Sequence, residues 1–366
     1  MAYSQNLHSP LGHRLIRRKE NPLNAEPPLE ELVKSWITPL ELFFIRNHAP
    51  TPEVEPGDYR LRIEGLVEQS LELSLEDLRS RFPMLDVTAT LQCAGNRRRQ
   101  HSRTSQVEGV PWDAGALGNA GWRGLQLSAL LKLAGVRAQA RHVWFTGLDE
   151  PRQGEDVHFG GSIPLAKAYS PETLIALEMN GEPLTREHGY PARALVPGFI
   201  AARSVKWLST ITLSDVPSNN HFQTESYKIA PPEHTGRNID WLRLPALNET
   251  PINCAISSPG AGQKVSADMV CVRGYATAQG ADAHTISRVQ ASPDNGDTWV
   301  EGQISWPQEP FAWVLWEARL QLMPGQHMLV ARAWDSSGAL QPESVPWNFK
   351  GYLYNGWHHL PICVTG

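Results

Sequence analysis

The chain has 366 residues, which is long enough for two domains that each bury a core. Charged residues make up 19% of the chain and the formal net charge is -5, so the composition does not indicate a nucleic-acid-binding protein. We expect no membrane span, because no apolar run in the sequence is long enough to cross a bilayer.

None of the four cysteines has the spacing of a zinc site or of covalent haem attachment. Near the start, Arg17-Arg18 is followed by Lys19-Glu20-Asn21-Pro22 instead of an apolar segment, which argues against a twin-arginine export signal. We therefore expect a cytoplasmic protein. Cys254 and Cys271 could bridge a β-sandwich, but in the cytoplasm we expect free thiols.

The first predicted elements follow a polar, proline-punctuated stretch, residues 1–28, which we interpret as an extended arm. Pro28 to Val33 predicts the start of a short helix. An apolar run then ends in Arg-Asn-His before Pro50, where a strand or loop has to stop because proline restricts its predecessor. Residues 58–67 alternate as a strand, and Ser74 is placed to cap the helix that follows.

Residues 85–99, with the sequence LDVTATLQCAGNRRR, carry the strongest chemical signal. The first half alternates, which predicts a strand with Leu85, Val87, Ala89 and Leu91 on its core face and Asp86, Thr88, Thr90 and Gln92 on the other. The strand delivers Cys93 to a turn through Ala94-Gly95-Asn96, since glycine and asparagine accept left-handed dihedrals.

Three arginines follow that turn directly, at positions 97, 98 and 99. Neighbouring positive charge favours the thiolate form of Cys93, and a thiolate suits a transition metal or a nucleophilic role. Arginine forks match oxyanions. The residues alone leave open the alternative of a buried structural cysteine beside a solvated basic loop.

Gly115 to Gly124 is rich in glycine, and its backbone N–H groups could cradle an anionic cofactor. Residues 125–133 predict an amphipathic helix that ends at Gly135. Residues 142–148 predict a buried strand. Trp112, just before the glycine-rich span, could belong either to a pocket or to the core.

The boundary between the two halves falls within Pro231 to Pro251, a proline-rich stretch with few strand signals. We therefore divide the chain into an arm, residues 1–28, a first domain, residues 29–245, and a second domain, residues 246–366. In the second domain, Asp294-Asn295-Gly296-Asp297 predicts a hairpin turn. Short strands such as residues 327–334 recur between turns, as in a β-sandwich. This domain is rich in tryptophan, which indicates a protein interface.

Thr90 to Arg98, with the sequence TLQCAGNRR, resembles the molybdenum-ligand motif of the sulfite oxidase family. The resemblance extends from about Phe43 to Trp357. It implies an α+β fold, in which a mixed α/β molybdopterin-binding domain precedes an immunoglobulin-like dimerisation domain. It also implies that Cys93 binds molybdenum held by the dithiolene of a pterin cofactor, molybdopterin.

The resemblance implies roles for residues in several further segments, with Cys93 as the metal ligand. The catalytic residues that it implies are Arg46, Cys93, Arg98 and Tyr227. The cofactor-binding residues that it implies are Phe44, Ile45, Arg46, Asn47, His48, Cys93, Asp149, His188, Arg193, Ser204, Val205 and Lys206. Trp112 falls where the family has a pocket tryptophan.

The activity implied by the resemblance is oxo transfer to sulfite, giving sulfate, with Arg46 and Arg98 holding the anion. Electrons would pass to an external acceptor such as a cytochrome or oxygen, since the chain shows no haem domain. The resemblance also implies a homodimer.

One position departs from the family pattern. Val314 stands where sulfite-oxidising members usually carry an arginine that helps to hold the substrate. A molybdenum-dependent reductase of nitrate or of an S- or N-oxide is therefore an alternative, because Val314 would make the pocket less cationic. A third possibility is a protein that stores the cofactor or binds a partner without turnover. The presence of a full catalytic set argues against it: Arg46, Cys93, Arg98 and Tyr227.

Overall fold

The computed structural model describes residues 14–150, 157–234, 239–280, 282–305 and 308–366. The strands, in chain order, are β1 (Ile16–Lys19), β2 (Asn24–Glu26), β3 (Ile45–Arg46), β4 (Arg60–Gly65), β5 (Leu71–Ser74), β6 (Met84–Gln92), β7 (Leu117–Gln126), β8 (His142–Gly147), β9 (Gly160–Pro164), β10 (Leu174–Met179), β11 (Glu182–Pro183), β12 (Arg193–Leu195), β13 (Leu208–Ser214), β14 (Asn253–Ser258), β15 (Lys264–Ser266), β16 (Asp268–Thr277), β17 (Ile286–Ser292), β18 (Val300–Glu301), β19 (Gln303–Ile304), β20 (Val314–Leu322), β21 (Gly325–Asp335) and β22 (His358–Thr365).

The helices are short and lie in the first half of the chain. The α-helices are α1 (Leu29–Leu32), α2 (Leu75–Ser80), α3 (Arg98–His101), α4 (Leu127–Ala134) and α5 (Leu165–Ala168). Single turns of 3₁₀-helix occupy Leu40–Leu42, Arg186–His188, Ala201–Arg203 and Trp241–Arg243, and a π-helical turn occupies Phe222–Ser226. No helix in the described parts of the chain is both long enough and apolar enough to span a membrane.

Two sheets build the first half of the chain. One has the strand order β11-β10-β7-β6, with β12 paired to β10, and the other has the order β5-β4-β13-β8-β9. The predicted capped helix is α2, in which Ser74 and Asp77 form a capping box. The predicted amphipathic helix is α4, which ends at Gly135 with a φ of 70°. The predicted strand at residues 142–148 is β8.

The described part of the N-terminal arm is folded against the first half. Its strands β1 and β2 form a three-stranded sheet with β3, in which Asn24 pairs with Arg46. Arg18 bonds Glu26 and Asp113, each at 2.6 Å. The arm therefore packs directly beside the segment that carries Arg46.

The predicted strand around residue 90 is β6, but its two faces differ from the simple alternation. Leu85 is 38% exposed, whereas Thr90 and Gln92 are 9% and 4% exposed. The polar face is buried at this end because the second half of the chain covers it. Thr90 accepts a hydrogen bond at its hydroxyl from the backbone of Trp313, at 2.8 Å.

The glycine-rich span does not form a cofactor cradle. Most of it belongs to β7, which pairs with β6 and β10. A side chain at Gly118 would meet the ring of Phe43 at 2.6 Å, and one at Gly124 would meet the carbonyl oxygen of Ile175 at 2.2 Å. These glycines allow close packing around a central strand.

Two sheets also build the second half, with the orders β14-β16-β20-β19 and β15-β22-β21-β17-β18. The predicted hairpin joins β17 to β18, with positive φ angles at Asn295 and Gly296. Cys254 and Cys271 are free thiols, as expected. These sheets form the β-sandwich and confirm the α+β class, while the domain bounds at residues 28 and 245 stay predictions.

The tryptophans of the second half do not share one role. The group comprises Trp299, Trp306, Trp313, Trp316, Trp334, Trp347 and Trp357, of which Trp306 lies outside the described residues. Trp313 and Trp316 are fully buried within the chain, so they cannot belong to an interface with another molecule. Trp299, Trp334 and Trp357 surround the guanidinium of Arg332 with centroid distances of 3.7, 5.0 and 5.0 Å.

Candidate active site

A narrow cleft opens in the first half of the chain, and we call it the central cleft. Residues named from the sequence that line it are Phe44, Arg46, Asn47, His48, Cys93, Asp149, His188, Arg193, Ser204, Lys206 and Tyr227. Further lining residues, to which the sequence assigned no role, are Phe43, Leu91, Ala94, Phe159, Ala201, Ala202 and Trp207. The cleft is thus both aromatic and cationic.

Cys93 lies directly after β6, where the strand gives way to a turn. Its backbone N–H donates to the carbonyl of Ala116 at 2.9 Å, and its side chain is buried against the cleft wall. The backbone N–H of Gly95 lies 3.4 Å from Sγ and supplies a donor to the sulfur. Within the described ranges no group of three or more His, Cys, Asp or Glu side chains could hold a metal ion.

The three arginines after Cys93 point in different directions. The sequence placed the left-handed backbone at Gly95 or Asn96, but Arg97 adopts it, with a φ of 65°. The fully buried guanidinium of Arg97 donates to Oδ1 of Asn253 at 2.6 Å and to the carbonyl of Cys254 at 3.2 Å. Arg97 therefore ties the turn that follows Cys93 to the β-sandwich.

Arg98 lies at a second opening, which we call the mouth. The mouth shares Arg46, Asn47 and His48 with the central cleft, and its other lining residues are Arg18, Lys19, Pro22, Arg98, Glu108, Gly109, Val110, Pro111, Phe222, Ser226, Lys350 and Tyr352. Arg98 donates to the carbonyls of Lys350 at 2.9 Å and Val110 at 2.8 Å. Five cationic side chains and one carboxylate line the mouth, which favours anions.

Arg46 is positioned by the N-terminal arm. Its guanidinium donates to Oδ1 of Asn24 at 3.0 Å and to the carbonyl of Asn47. Asn24 also receives the backbone N–H of Asn47 at 3.2 Å, so one buried asparagine fixes both neighbours. Ile45 points the other way, into a small core with Leu15 and Ala25. The predicted contact of Ile45 with a cofactor could therefore involve only its backbone.

His48 lies in an aromatic group between the central cleft and the mouth. Its ring stacks on Phe159 at 4.5 Å and meets the edge of Phe222 at 4.6 Å. Its Nε2 lies 2.8 Å from the hydroxyl of Tyr227. Burial and the positive charge of Arg46 lower the pKa of His48 well below its usual value, so the ring is neutral.

His188 and Arg193 also line the central cleft. Burial lowers the pKa of His188 to about 3, and its ring is bonded to the backbone of Leu40. Nε2 of His188 is buried without a hydrogen-bond partner. Burial also lowers the pKa of Arg193 to about 9, while its guanidinium donates to the carbonyl of Ser204 at 2.9 Å and faces the ring of Trp122 at 5.0 Å.

Lys206 and Asp149 line the same cleft. Lys206 donates to the carbonyl of Glu187 at 2.7 Å and to the side chain of Asn47. Burial lowers the pKa of Lys206, and burial raises the pKa of Asp149. Oδ1 of Asp149 is buried without a hydrogen-bond partner. Val205, between Ser204 and Lys206, faces the core of the first half instead, so its predicted contact could involve only its backbone.

These residues fit a buried anionic cofactor with a polar ring edge. The cleft is lined by three cationic side chains, those of Arg46, Arg193 and Lys206. Because their charges repel, the cleft is disfavoured without a bound anion. The free acceptors on His188 and Asp149 call for hydrogen-bond donors. A molybdopterin offers phosphate oxygens to the cations and ring N–H groups to the acceptors.

Two residues considered from the sequence lie outside the site. Trp112 is fully buried in the core beside Leu91 and Cys93, and it lines neither the cleft nor the mouth. Val314 was expected in the anion pocket, and this prediction is wrong. Val314 belongs to the sandwich core, because on β20 its side chain alternates with Trp313 and Leu315, which face the first half of the chain.

Comparison with known proteins identifies both halves of the chain. The profile described as oxidoreductase molybdopterin binding domain matches residues 48–222, and that of the Mo-co oxidoreductase dimerisation domain matches residues 245–365. The chain is 43% identical to sulfite oxidase of Gallus gallus, over 93% of this chain and 76% of that protein. It is 40% identical to sulfite oxidase of Arabidopsis thaliana, over 94% of this chain and 92% of that protein.

A solved structure shows the same architecture. The sulfane dehydrogenase SoxCD from Paracoccus pantotrophus superposes with a TM-score of 0.81 at 27% identity, covering 94% of this chain and 85% of that chain. The fold and site define a molybdopterin-dependent oxidoreductase whose cofactor is molybdenum bound to molybdopterin. The chain belongs to the sulfite oxidase family. The family resemblance of the TLQCAGNRR motif is thus confirmed, while the roles of the individual residues stay predictions.

Proposed function

We propose that this protein oxidises sulfite to sulfate and passes the electrons to an external acceptor. The observation that carries the proposal is the convergence of Cys93, Arg46 and Tyr227 on one cationic cleft, which opens into a mouth that holds Arg98. The similarity to the sulfite oxidases of Gallus gallus and Arabidopsis thaliana supports sulfite as the substrate.

The reaction adds one oxygen atom to sulfite and removes two electrons from it. The molybdenum cofactor, when bound, would supply this two-electron oxo-transfer chemistry. Overall, the added oxygen atom derives from water, which releases two protons. The chain contributes Cys93 as the metal ligand and Arg46 and Arg98 as the groups that hold the oxyanion.

Tyr227 adds a hydroxyl on the substrate side of the cleft. Neutral His48 shares a hydrogen bond with that hydroxyl and fixes its position, because burial keeps His48 unprotonated. The proposed cofactor contacts are the side chains of Asn47, Asp149, His188, Arg193 and Lys206. Phe44 and Ser204 complete that wall of the cleft.

The proposal includes a homodimer that is formed through the second half of the chain and a cytoplasmic location. The match to a dimerisation domain over residues 245–365 supports the dimer. A cytochrome or oxygen is the proposed class of electron acceptor.

The test is sulfite-dependent reduction of ferricyanide or of cytochrome c by the molybdenum-loaded protein. We expect turnover with sulfite. We expect no reduction of nitrate when a reduced dye supplies the electrons. Nitrate reduction without sulfite oxidation would overturn the proposal. The nitrate, S-oxide or N-oxide alternative has lost its supporting observation, because Val314 does not line the anion pocket.

A further inference from the structure

A segment of the second half returns to the mouth, and we call residues 350–353 the return segment. The carbonyl of Lys350 accepts the Nε–H of Arg98 at 2.9 Å. The backbone N–H of Leu353 donates to the carbonyl of Ala94 at 2.7 Å, directly after Cys93. The return segment therefore bonds both the turn that presents the thiol and one of the proposed substrate arginines.

Tyr352 lies in the middle of the return segment and contacts two proposed catalytic groups. Its ring stacks on the ring of Tyr227 with a centroid distance of 5.4 Å and an interplanar angle of 21°. The Cζ of Arg98 lies 5.0 Å from the centroid of the Tyr352 ring. One aromatic side chain thus touches the proposed anion ligand and the proposed hydroxyl donor together.

The backbone around Tyr352 is fixed from both sides. Its N–H donates to Oδ1 of Asn348 at 2.9 Å, and its carbonyl accepts from Nδ2 of the same residue at 2.9 Å. Nζ of Lys350 donates to the carbonyl of Ser226 at 2.8 Å, next to Tyr227 in the chain. Nζ of Lys350 also lies 3.5 Å from the ring centroid of Trp241.

Arg98 needs such a partner to keep one orientation. The two groups that accept its hydrogen bonds, the carbonyls of Lys350 and Val110, carry no charge and leave both its face and its remaining N–H groups free for other contacts. An aromatic face attracts a guanidinium and restricts its rotation. Stacked rings restrain each other in the same way, so Tyr352 also limits the positions open to Tyr227.

We propose that Tyr352 is a positioning residue, which holds Arg98 and Tyr227 in the arrangement that binds an oxyanion. The second half of the chain thereby contributes to oxyanion affinity as well as to assembly. The inference rests on the proposed function only for the choice of sulfite as the oxyanion that reacts.

The test compares Tyr352→Leu with Tyr352→Phe in the molybdenum-loaded protein. Sulfate serves as the non-reacting probe, and its dissociation constant is measured by calorimetry beside KM and kcat for sulfite. We expect Tyr352→Leu to weaken sulfate binding and to raise KM about fivefold to tenfold, with a smaller effect on kcat. Tyr352→Phe keeps the ring and should restore most of the lost affinity.

Tyr354 offers a matched control in the same loop. Its ring contacts Arg97 at 4.9 Å and His101 at 4.8 Å but neither of the two groups that Tyr352 holds. Tyr354→Leu should lower the thermal midpoint while it leaves sulfate affinity within about twofold. Should Tyr352→Leu fail to fold, Tyr352→Met fills similar space without an aromatic face and takes its place.

Three results would overturn the inference. The first is wild-type sulfate affinity in both Tyr352→Leu and Tyr352→Met. The second is an equal loss of affinity in Tyr354→Leu. The third is a wild-type protein that binds no sulfate. A wild-type protein that binds sulfate but does not oxidise sulfite would instead contradict the proposed function, and the comparison of variants would still test Tyr352.

Discussion

The hydroxyl of Tyr227 lies 2.8 Å from Nε2 of His48, between the central cleft and the mouth. Burial and the charges of Arg46 and Lys206 lower the pKa of His48, whereas burial raises the pKa of Tyr227. Both groups are therefore uncharged at neutral pH, and they share one hydrogen bond. The pair presents a directed hydroxyl to whatever occupies the cleft.

Removal of that hydroxyl should slow the reaction without unfolding the protein. We expect Tyr227→Phe to lower kcat/KM for sulfite at least tenfold, because a hydrogen bond to a charged group contributes about 1.5–3 kcal/mol. Steady-state kinetics between pH 6 and 9 measures the effect. Tyr169→Phe, at an exposed position, is the control and should behave as the wild type. Full activity in Tyr227→Phe would remove Tyr227 from the proposed catalytic residues.

Replacement of the proposed metal ligand should separate activity from folding. We expect Cys93→Ser to abolish sulfite oxidation while its circular dichroism and thermal midpoint stay close to those of the wild type, since a hydroxyl is a poorer ligand for a soft metal. Molybdenum analysis and activity are measured on the same sample. Cys271→Ser, at a half-buried thiol far along the chain, should keep both. A fully active Cys93→Ser variant would contradict the assignment.

An arginine at position 314 should destabilise the sandwich and should not improve sulfite binding. Val314 is 1% exposed among apolar side chains, so Val314→Arg would bury a charge without a partner. We expect a loss of about 4 kcal/mol or more in the free energy of unfolding. Urea unfolding measures this change.

The control for that variant is Val300→Arg, since Val300 is 38% exposed in the same half of the chain. It should change the free energy of unfolding by less than about 0.5 kcal/mol. A folded Val314→Arg protein with a lowered KM for sulfite would show that position 314 does reach the substrate.

Acid should destabilise the protein through its buried neutral histidines. Nδ1 of His358 accepts the backbone N–H of Ile256 at 3.2 Å, and burial lowers the pKa of His358 well below its usual value. Burial likewise lowers the pKa of His101 to about 4. Below pH 6.5 the unfolded chain binds protons that the native chain does not, so the free energy of unfolding falls as the pH falls.

The slope should be about 1.4 kcal/mol per pH unit for each such histidine. Urea midpoints at pH 7 and pH 5 measure it. His358→Gln keeps an acceptor for Ile256 but cannot be protonated, so its slope should be shallower than that of the wild type. Equal slopes in the wild type and in His358→Gln would contradict this account.

Light scattering at micromolar concentration tests the proposed homodimer. We expect twice the mass of one chain, because residues 245–365 match a dimerisation domain. The contacts should exclude Trp313 and Trp316, which are buried within the chain. A monomer at that concentration would contradict this part of the proposal.

Local patterns predicted the elements that depend on neighbouring residues. Three such predictions are confirmed: the strand before Cys93, the helix cap at Ser74 and the turn at Asn295-Gly296. The residues that determine each of these structures lie within a few positions of it. The resemblance also named most residues that line the central cleft. Its placement of Val314 failed, because the direction of that side chain depends on its alternation along β20.

Long-range contacts explain what the sequence did not predict. Thr90 and Gln92 are buried only because residues more than 200 positions later cover that end of β6. The return segment approaches Arg98 from a similar distance along the chain, so no local signal marked Tyr352. An aromatic residue two positions after a lysine is unremarkable until the fold places it beside a guanidinium.

The buried guanidinium of Arg97 has a consequence for how this polypeptide can be divided. Its partners Asn253 and Cys254 lie in the β-sandwich, while its backbone belongs to the turn that presents Cys93. A fragment that ends before residue 253 would therefore lose the anchor of the loop that carries Cys93. We expect such a fragment to capture molybdopterin poorly even if its sheets form, so capture of the cofactor has to follow the docking of β14.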